Sequence, residues 1–112
     1  MKALELVKRG ESAIVVFTRG ERFKHRLDGS GSTGNWKISA RRKIDKVIIY
    51  KQDAQLAQHE IYTGIPLDVI DSKDRKIIEM TGIELIGTTD QNWNEFTGTK
   101  KGAINPVRFI SR

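Results

Sequence analysis

The chain has 112 residues, a formal net charge of +6 and no cysteine, which excludes disulfides and cysteine-ligated zinc. Its length suits one domain, residues 1–112, and its 38% apolar residues are spread widely enough for one core. No apolar run approaches the ~18 residues of a membrane-spanning helix, and MKALELVKRGES lacks the features of a signal peptide, so a cytoplasmic location is expected.

In chain order, the segments read mostly as short strands. ALELV (3–7) and SAIVVFT (12–18) flank Arg9-Gly10 and are expected to form a hairpin, the second run being dense in the β-branched and aromatic residues that strands favour. ERFKHRL (21–27) reads as a polar strand or one helical turn. WKIS (36–39) is a short strand. DKVIIYK (45–51) carries four successive apolar or aromatic residues, the pattern of a strand buried on both faces. QDAQLAQHE (52–60) is the one good helical stretch. EIYTGI (60–65) reads as a strand that Pro66 confines to an edge or an end. DSKDR (71–75) is a turn. KIIEM (76–80) and IELIG (83–87) are joined at Thr81-Gly82 either by a bulge within one bent strand or by a tight turn. A polar segment, 88–106, leads to a closing strand, VRFIS (107–111). The fold class that follows is mainly β, a small barrel with one or two short helices.

The charge is unevenly placed. Residues 1–51 hold 13 Lys/Arg against 5 Asp/Glu, a surplus of +8, whereas residues 52–112 hold 7 against 9, or −2. This asymmetry points to a face that meets a polyanion, DNA or RNA. A solvated basic surface, or a basic protein-interaction module with an acidic partner, would use the same charges. On a strand, Arg22, Lys24 and Arg26 project to one side. Lys37, Arg41 and Arg42 continue the basic cluster beyond the stretch GSGSTG (29–34).

Gly29, Gly31 and Gly34 satisfy the spacing of a dinucleotide fingerprint, but context opposes it. The charged RFKHRLD before them cannot be a buried parallel strand, and the NWKIS after them has a strand pattern where a phosphate-binding helix is required. Asn35 and Trp36 stand where a P-loop needs Lys and Ser/Thr. The expectation is a mobile loop that allows close backbone approach in a nucleic-acid clamp.

Two tryptophans sit in polar contexts. Trp36, beside the glycines and the basic cluster, suits base stacking. Trp93 suits an anchor folded over one end of the fold or a second stacking surface. Asp90 is a candidate helix cap that would place Trp93 and Phe96 on one side. Asp90 and Asn92, with the neighbouring Asn94 and Asn105, carry groups able to read a base edge, and their plain role is loop chemistry. Catalytic signals are thin. His25 with Asp28 and Lys24 offers an acid–base group for a nuclease-like alternative. His25 and His59 lack metal-ligand spacing, and the region around Asp45 and Lys51 supplies no second acid for a divalent metal. No catalytic residue, metal or cofactor is assigned.

Residues 44–50, IDKVIIY, resemble the strand of PUA-like domains that reads G-D-x-V followed by apolar residues and an aromatic. Asp45, Val47 and Tyr50 match, and Ile44 replaces the usual glycine. The resemblance, to the EVE, ASCH and YTH groups, covers residues 36–110 and leaves residues 1–19 without a counterpart. It implies a β-barrel that binds RNA or modified DNA bases. It also implies an aromatic-walled pocket for a flipped base, with Trp36 and Trp93 as its walls. The function expected is a nucleic-acid-binding module that reads a modified or unpaired base.

Overall fold

The computed structural model describes residues 1–38, 43–53, 55, 57–98 and 105–112. Its elements are strands β1 (Ser12–Thr18), β2 (Phe23–His25), β3 (Gly31–Trp36), β4 (Lys46–Lys51), β5 (His59–Ser72), β6 (Arg75–Thr89) and β7 (Val107–Ser111). A 3-10 turn, Ala3–Leu6, precedes β1, and a short helix α1, Trp93–Thr97, lies between β6 and β7. The strands form one sheet in the order β2-β3-β6-β5-β4-β1-β7. β1 and β4 run parallel, with Ile14 opposite Val47 and Val16 opposite Ile49. The other pairings are antiparallel.

The mainly β class therefore holds, but the barrel does not. The sheet ends in two edges, β2 and β7, and is not closed. Curvature substitutes for closure. Ile14, Val16, Trp36, Val47, Ile49, Tyr62, Ile78, Met80, Ile83 and Val107 come from six strands and pack into one cluster, which requires the sheet to bend around them. The alternate residues Ala13, Val15, Ile48, Tyr50 and Ile61 face the other side, where Ala3, Val7 and Phe96 cover them. Covering on both faces explains why Val47, Ile48, Ile49 and Tyr50 are all fully buried. Each such Val or Ile contributes roughly 1.5–3 kcal/mol relative to exposure.

The long β5–β6 hairpin supplies the bend. Register shifts fall between Ile61 and Tyr62, between Thr63 and Ile65, and between Pro66 and Asp68. Thr81 and Gly82 lie inside the single bent strand β6, with Gly82 at φ +60°. Among the described pairings β4 accompanies β5 only as far as Gly64. Pro66 thus sits where β5 has an open side and its missing N–H costs no β4 ladder bond.

Three element expectations are corrected. WKIS is no strand of its own: Trp36 ends β3, Lys37 and Ile38 lie outside any strand, and Ser39 is outside the described residues. ALELV is no strand: residues 3–6 form a 3-10 turn that tucks Ala3 and Val7 against the sheet. The stretch 52–60 is no helix. Its described members Gln52, Asp53, Gln55, Ala57 and Gln58 form a connection, and His59 and Glu60 already belong to β5. Ala54 and Leu56 lie outside the described residues. Helix propensity without an apolar face to bury could not hold this segment. The helix forms instead at residues 93–97, because Asn92 and Glu95 make a reciprocal capping box and Phe96 is buried beneath it.

Candidate nucleic-acid interface

GSGSTG is mostly not a loop. Gly31 begins β3, and Gly31, Ser32 and Thr33 are buried there. A Cβ on Gly31 would fall on the Lys24 carbonyl oxygen and lie 2.6 Å from Ile83 Cδ1, and one on Gly34 would lie 2.9 Å from Ile77 Cα. These glycines let strands approach each other, not a ligand. Only Gly29 keeps the conformational role of a turn glycine, at φ +85°.

The β2–β3 hairpin registers Phe23 with Thr33, Lys24 with Ser32 and His25 with Gly31. Alternation along β2 separates two sets of side chains. Arg22, Lys24 and Arg26 are all exposed. Arg22 donates to the Asn35 carbonyl at 3.1 Å and lies 5.2 Å over the Trp36 ring. Arg26 donates to Ser30 Oγ at 3.5 Å. None of the three forms an ion pair among the described residues. The row continues through Ser32 to Glu79 on β6, so one acid borders the cationic strip. Lys37 is exposed just past the end of β3. Arg41 and Arg42 lie outside the described residues.

Opposite this strip, Phe23 and His25 are stacked at 5.9 Å, and Tyr62 meets both rings, at 5.0 Å from Phe23 and 5.9 Å from His25. Tyr62 and Leu85 are cross-strand partners, and Leu85 is exposed. The Tyr62 hydroxyl donates to Glu60 at 3.2 Å. Burial, with the Glu60 charge and hydrogen bond, raises its pKa. A cleft of about 200 Å³ lies beside β2, lined by Glu21, Arg22, Phe23, Lys24, Ser32, Gly34, Asn35 and Ile77. Small-ligand pockets run to roughly 300–1,000 Å³, so this cleft is a surface groove that leaves a base largely outside.

The aromatic pocket expected from the two tryptophans is corrected. Trp36 is 2% exposed, belongs to the core inside the bend, and donates Nε1–H to Thr33 Oγ1 at 3.0 Å. Trp93 packs against the opposite face of the sheet, edge-on to Phe17 and Tyr50 at 5.6 Å each, and donates Nε1–H to the Asn105 carbonyl at 3.0 Å. Rings on opposite faces cannot wall one pocket. Trp93 is an anchor, and the Arg108 guanidinium lies 5.9 Å from its ring centre. Asn92 is committed to capping, with Oδ1 accepting from the Glu95 amide at 2.9 Å. Asp90 is exposed and precedes the cap by two residues, so it is not the cap.

His25 and Asp28 do not form an acid–base pair. His25 is held by rings. Asp28 Oδ1 accepts from the Ser30 hydroxyl at 2.6 Å and the Ser30 amide at 2.9 Å. Those bonds hold the Asp28 carboxyl below its ordinary range. Among the described residues no group of three His, Asp or Glu is placed to hold a metal, and no helix is long and apolar enough to cross a membrane.

Neither Tyr62 nor Phe23 stands among the residues singled out from the sequence. The signal for Phe23 lies in RFKHR itself: alternation puts Phe23 and His25 on the side opposite Lys24. Tyr62 had no local signal, because its partners come from a strand 37–39 positions earlier. Comparison with known proteins finds no match: no family model, no curated protein and no solved structure aligns with this chain.

Proposed function

We propose that this protein is a nucleic-acid-binding module without catalytic activity, and that it engages its ligand along the β2–β3 hairpin. The observation that carries this reading is exposed Lys24, flanked by exposed Arg22 and Arg26, beside the Phe23–His25–Tyr62 ring cluster of the β2–β3 hairpin. Exposed cations that make no ion pair among the described residues gain by replacing condensed counterions on phosphates. An exposed imidazole backed by two rings offers a surface on which a splayed base can stack. The PUA-like resemblance of residues 44–50 supports the same ligand class. The binding surface suggested here differs from the pocket that resemblance implies, because Trp36 and Trp93 are occupied elsewhere.

The test is fluorescence anisotropy with labelled duplex and single-stranded oligonucleotides across a salt series. The variant is Lys24→Gln/Arg26→Gln, which changes two exposed cations. Duplex binding is expected to weaken with salt. The slope of log K against log salt is expected to shrink by about 2 in the variant, since each phosphate left without its cation lowers it by about 0.9. An unchanged slope would place the binding surface elsewhere. Absence of binding at low salt would refute the function.

A further inference from the structure

The turn between β2 and β3 displays an apolar side chain. Leu27 has a relative exposure of 110%, the largest among the exposed large hydrophobic residues. Turns select Gly, Pro, Asn, Asp and Ser for definite backbone reasons, none of which leucine supplies. The turn around it is firmly built. The Arg26 amide donates to the Ser30 carbonyl at 2.8 Å, and the Gly29 amide donates to the Arg26 carbonyl at 3.1 Å. Asp28 Oδ1 receives two bonds from Ser30. The Ile83 amide on β6 donates to the Gly29 carbonyl at 2.9 Å, which ties the turn to the sheet. Leu27 is thus held out from the body of the protein, directly after Arg26 and three residues after Lys24.

We propose that Leu27 is a wedge that enters a weakened base step of duplex nucleic acid while Lys24 and Arg26 hold the flanking phosphates. This rests on the function proposed above and specifies its ligand as a duplex that can be locally unstacked. Proteins that kink duplexes insert single Leu, Ile, Met or Phe side chains between base pairs, with cations on the adjacent backbone. A preformed turn suits that task, because the side chain needs no ordering on entry. A lipid surface is the weaker match. Stable insertion there needs a broad apolar face, and the turn offers one leucine between Arg26 and Asp28.

The test uses duplexes carrying 2-aminopurine beside a mismatch or within a flexible TA step, with anisotropy and 2-aminopurine emission read on the same samples. The wild-type chain is expected to raise emission several-fold on binding. Leu27→Ser is expected to abolish that rise and weaken affinity for the mismatched duplex about ten-fold. Because Leu27 buries nothing, a thermal melt of Leu27→Ser should superimpose on wild type, which separates a binding effect from a folding effect. Lys24→Gln/Arg26→Gln should weaken binding to all duplexes alike. Tight wild-type binding with no emission rise, or a rise that persists in Leu27→Ser, overturns the wedge and leaves the nucleic-acid reading standing. No duplex binding at all overturns the wedge, as does Leu27-dependent binding to anionic phosphatidylserine vesicles alone, and no binding to either duplex or single strand overturns the nucleic-acid reading as well.

Discussion

Replacing Trp36 with alanine should come close to unfolding this protein, and the size of the effect follows from three interactions. The ring is 2% exposed and packs inside the bend of the sheet. Truncating a buried Phe or Trp to Ala costs about 3–5 kcal/mol through lost transfer energy and the cavity left behind. Its indole N–H donates to Thr33 Oγ1 at 3.0 Å, and that hydroxyl donates to the Arg22 carbonyl at 2.7 Å. One such hydrogen bond is worth about 1 kcal/mol. The Arg22 guanidinium lies 5.2 Å over the ring, and a cation–π interaction at an exposed cation adds about 0.5–1 kcal/mol. A total near 4.5–7 kcal/mol is a large share of the roughly 5–15 kcal/mol that holds a domain together. Urea denaturation followed by circular dichroism is the assay. With a slope of about 1.5–2 kcal/mol per molar, the midpoint should fall by roughly 2–5 M. Trp36→Phe should recover part of the loss, since it restores one aromatic ring but lacks the second ring of the indole and its N–H. Thr33→Val should cost about 1–2 kcal/mol, because it leaves the buried indole N–H without its partner, while the Arg22 carbonyl keeps the Gly34 amide. A loss below about 1 kcal/mol for Trp36→Ala would refute this account and return Trp36 to the surface residues available for stacking.

Gly31→Ala should destabilise by about 1–3 kcal/mol, since the new methyl collides with the Lys24 backbone and Ile83. Gly29→Ala meets open space and should cost only about 1 kcal/mol, through its left-handed backbone; thermal melts that rank the two in reverse would contradict the packing described. Asn92→Ala removes the capping box and should cost about 1 kcal/mol, with a change in Trp93 fluorescence because the indole is the first residue of the helix. Burial and the Glu95 charge push the Tyr50 hydroxyl up to about 12. The folded state therefore binds the extra proton, so this contribution is present below pH 10 and is lost as pH rises toward 12. Ultraviolet titration should show a late-ionising tyrosine that Tyr50→Phe removes. Glu11 is held below its ordinary range, first by the Lys8 amide and also by Lys46. Its contribution is present above the unfolded value and fades as pH falls through the folded one, so Glu11→Gln should flatten part of the acid limb of stability.

The amino-acid sequence alone determined the elements whose signal is local. SAIVVFT, KVIIYK and VRFIS became β1, β4 and β7, because dense β-branched runs between turn residues leave few alternatives. It also determined the uneven charge, but the common side expected of Arg22, Lys24 and Arg26 needs a strand longer than β2, which spans only Phe23–His25 and leaves Arg22 over Trp36 of the core. Tertiary structure decided what depends on distant partners. Asn-Trp occurs twice in this chain, at 35–36 and 92–93, in similar polar surroundings, yet the two indoles lie on opposite faces of the sheet. One is core because β3 pairs with β6 inside the bend. The other is an anchor because the helix starts beside it and Phe17 and Tyr50 stand beneath. The same holds for GSGSTG. Its glycines read as looseness in one dimension, but in three they let β2, β3 and β6 pack at distances a Cβ would prevent. Local chemistry can say that a residue lacks bulk or seeks burial, whereas only the pairing of strands far apart in the chain supplies the neighbour that gives the property its use.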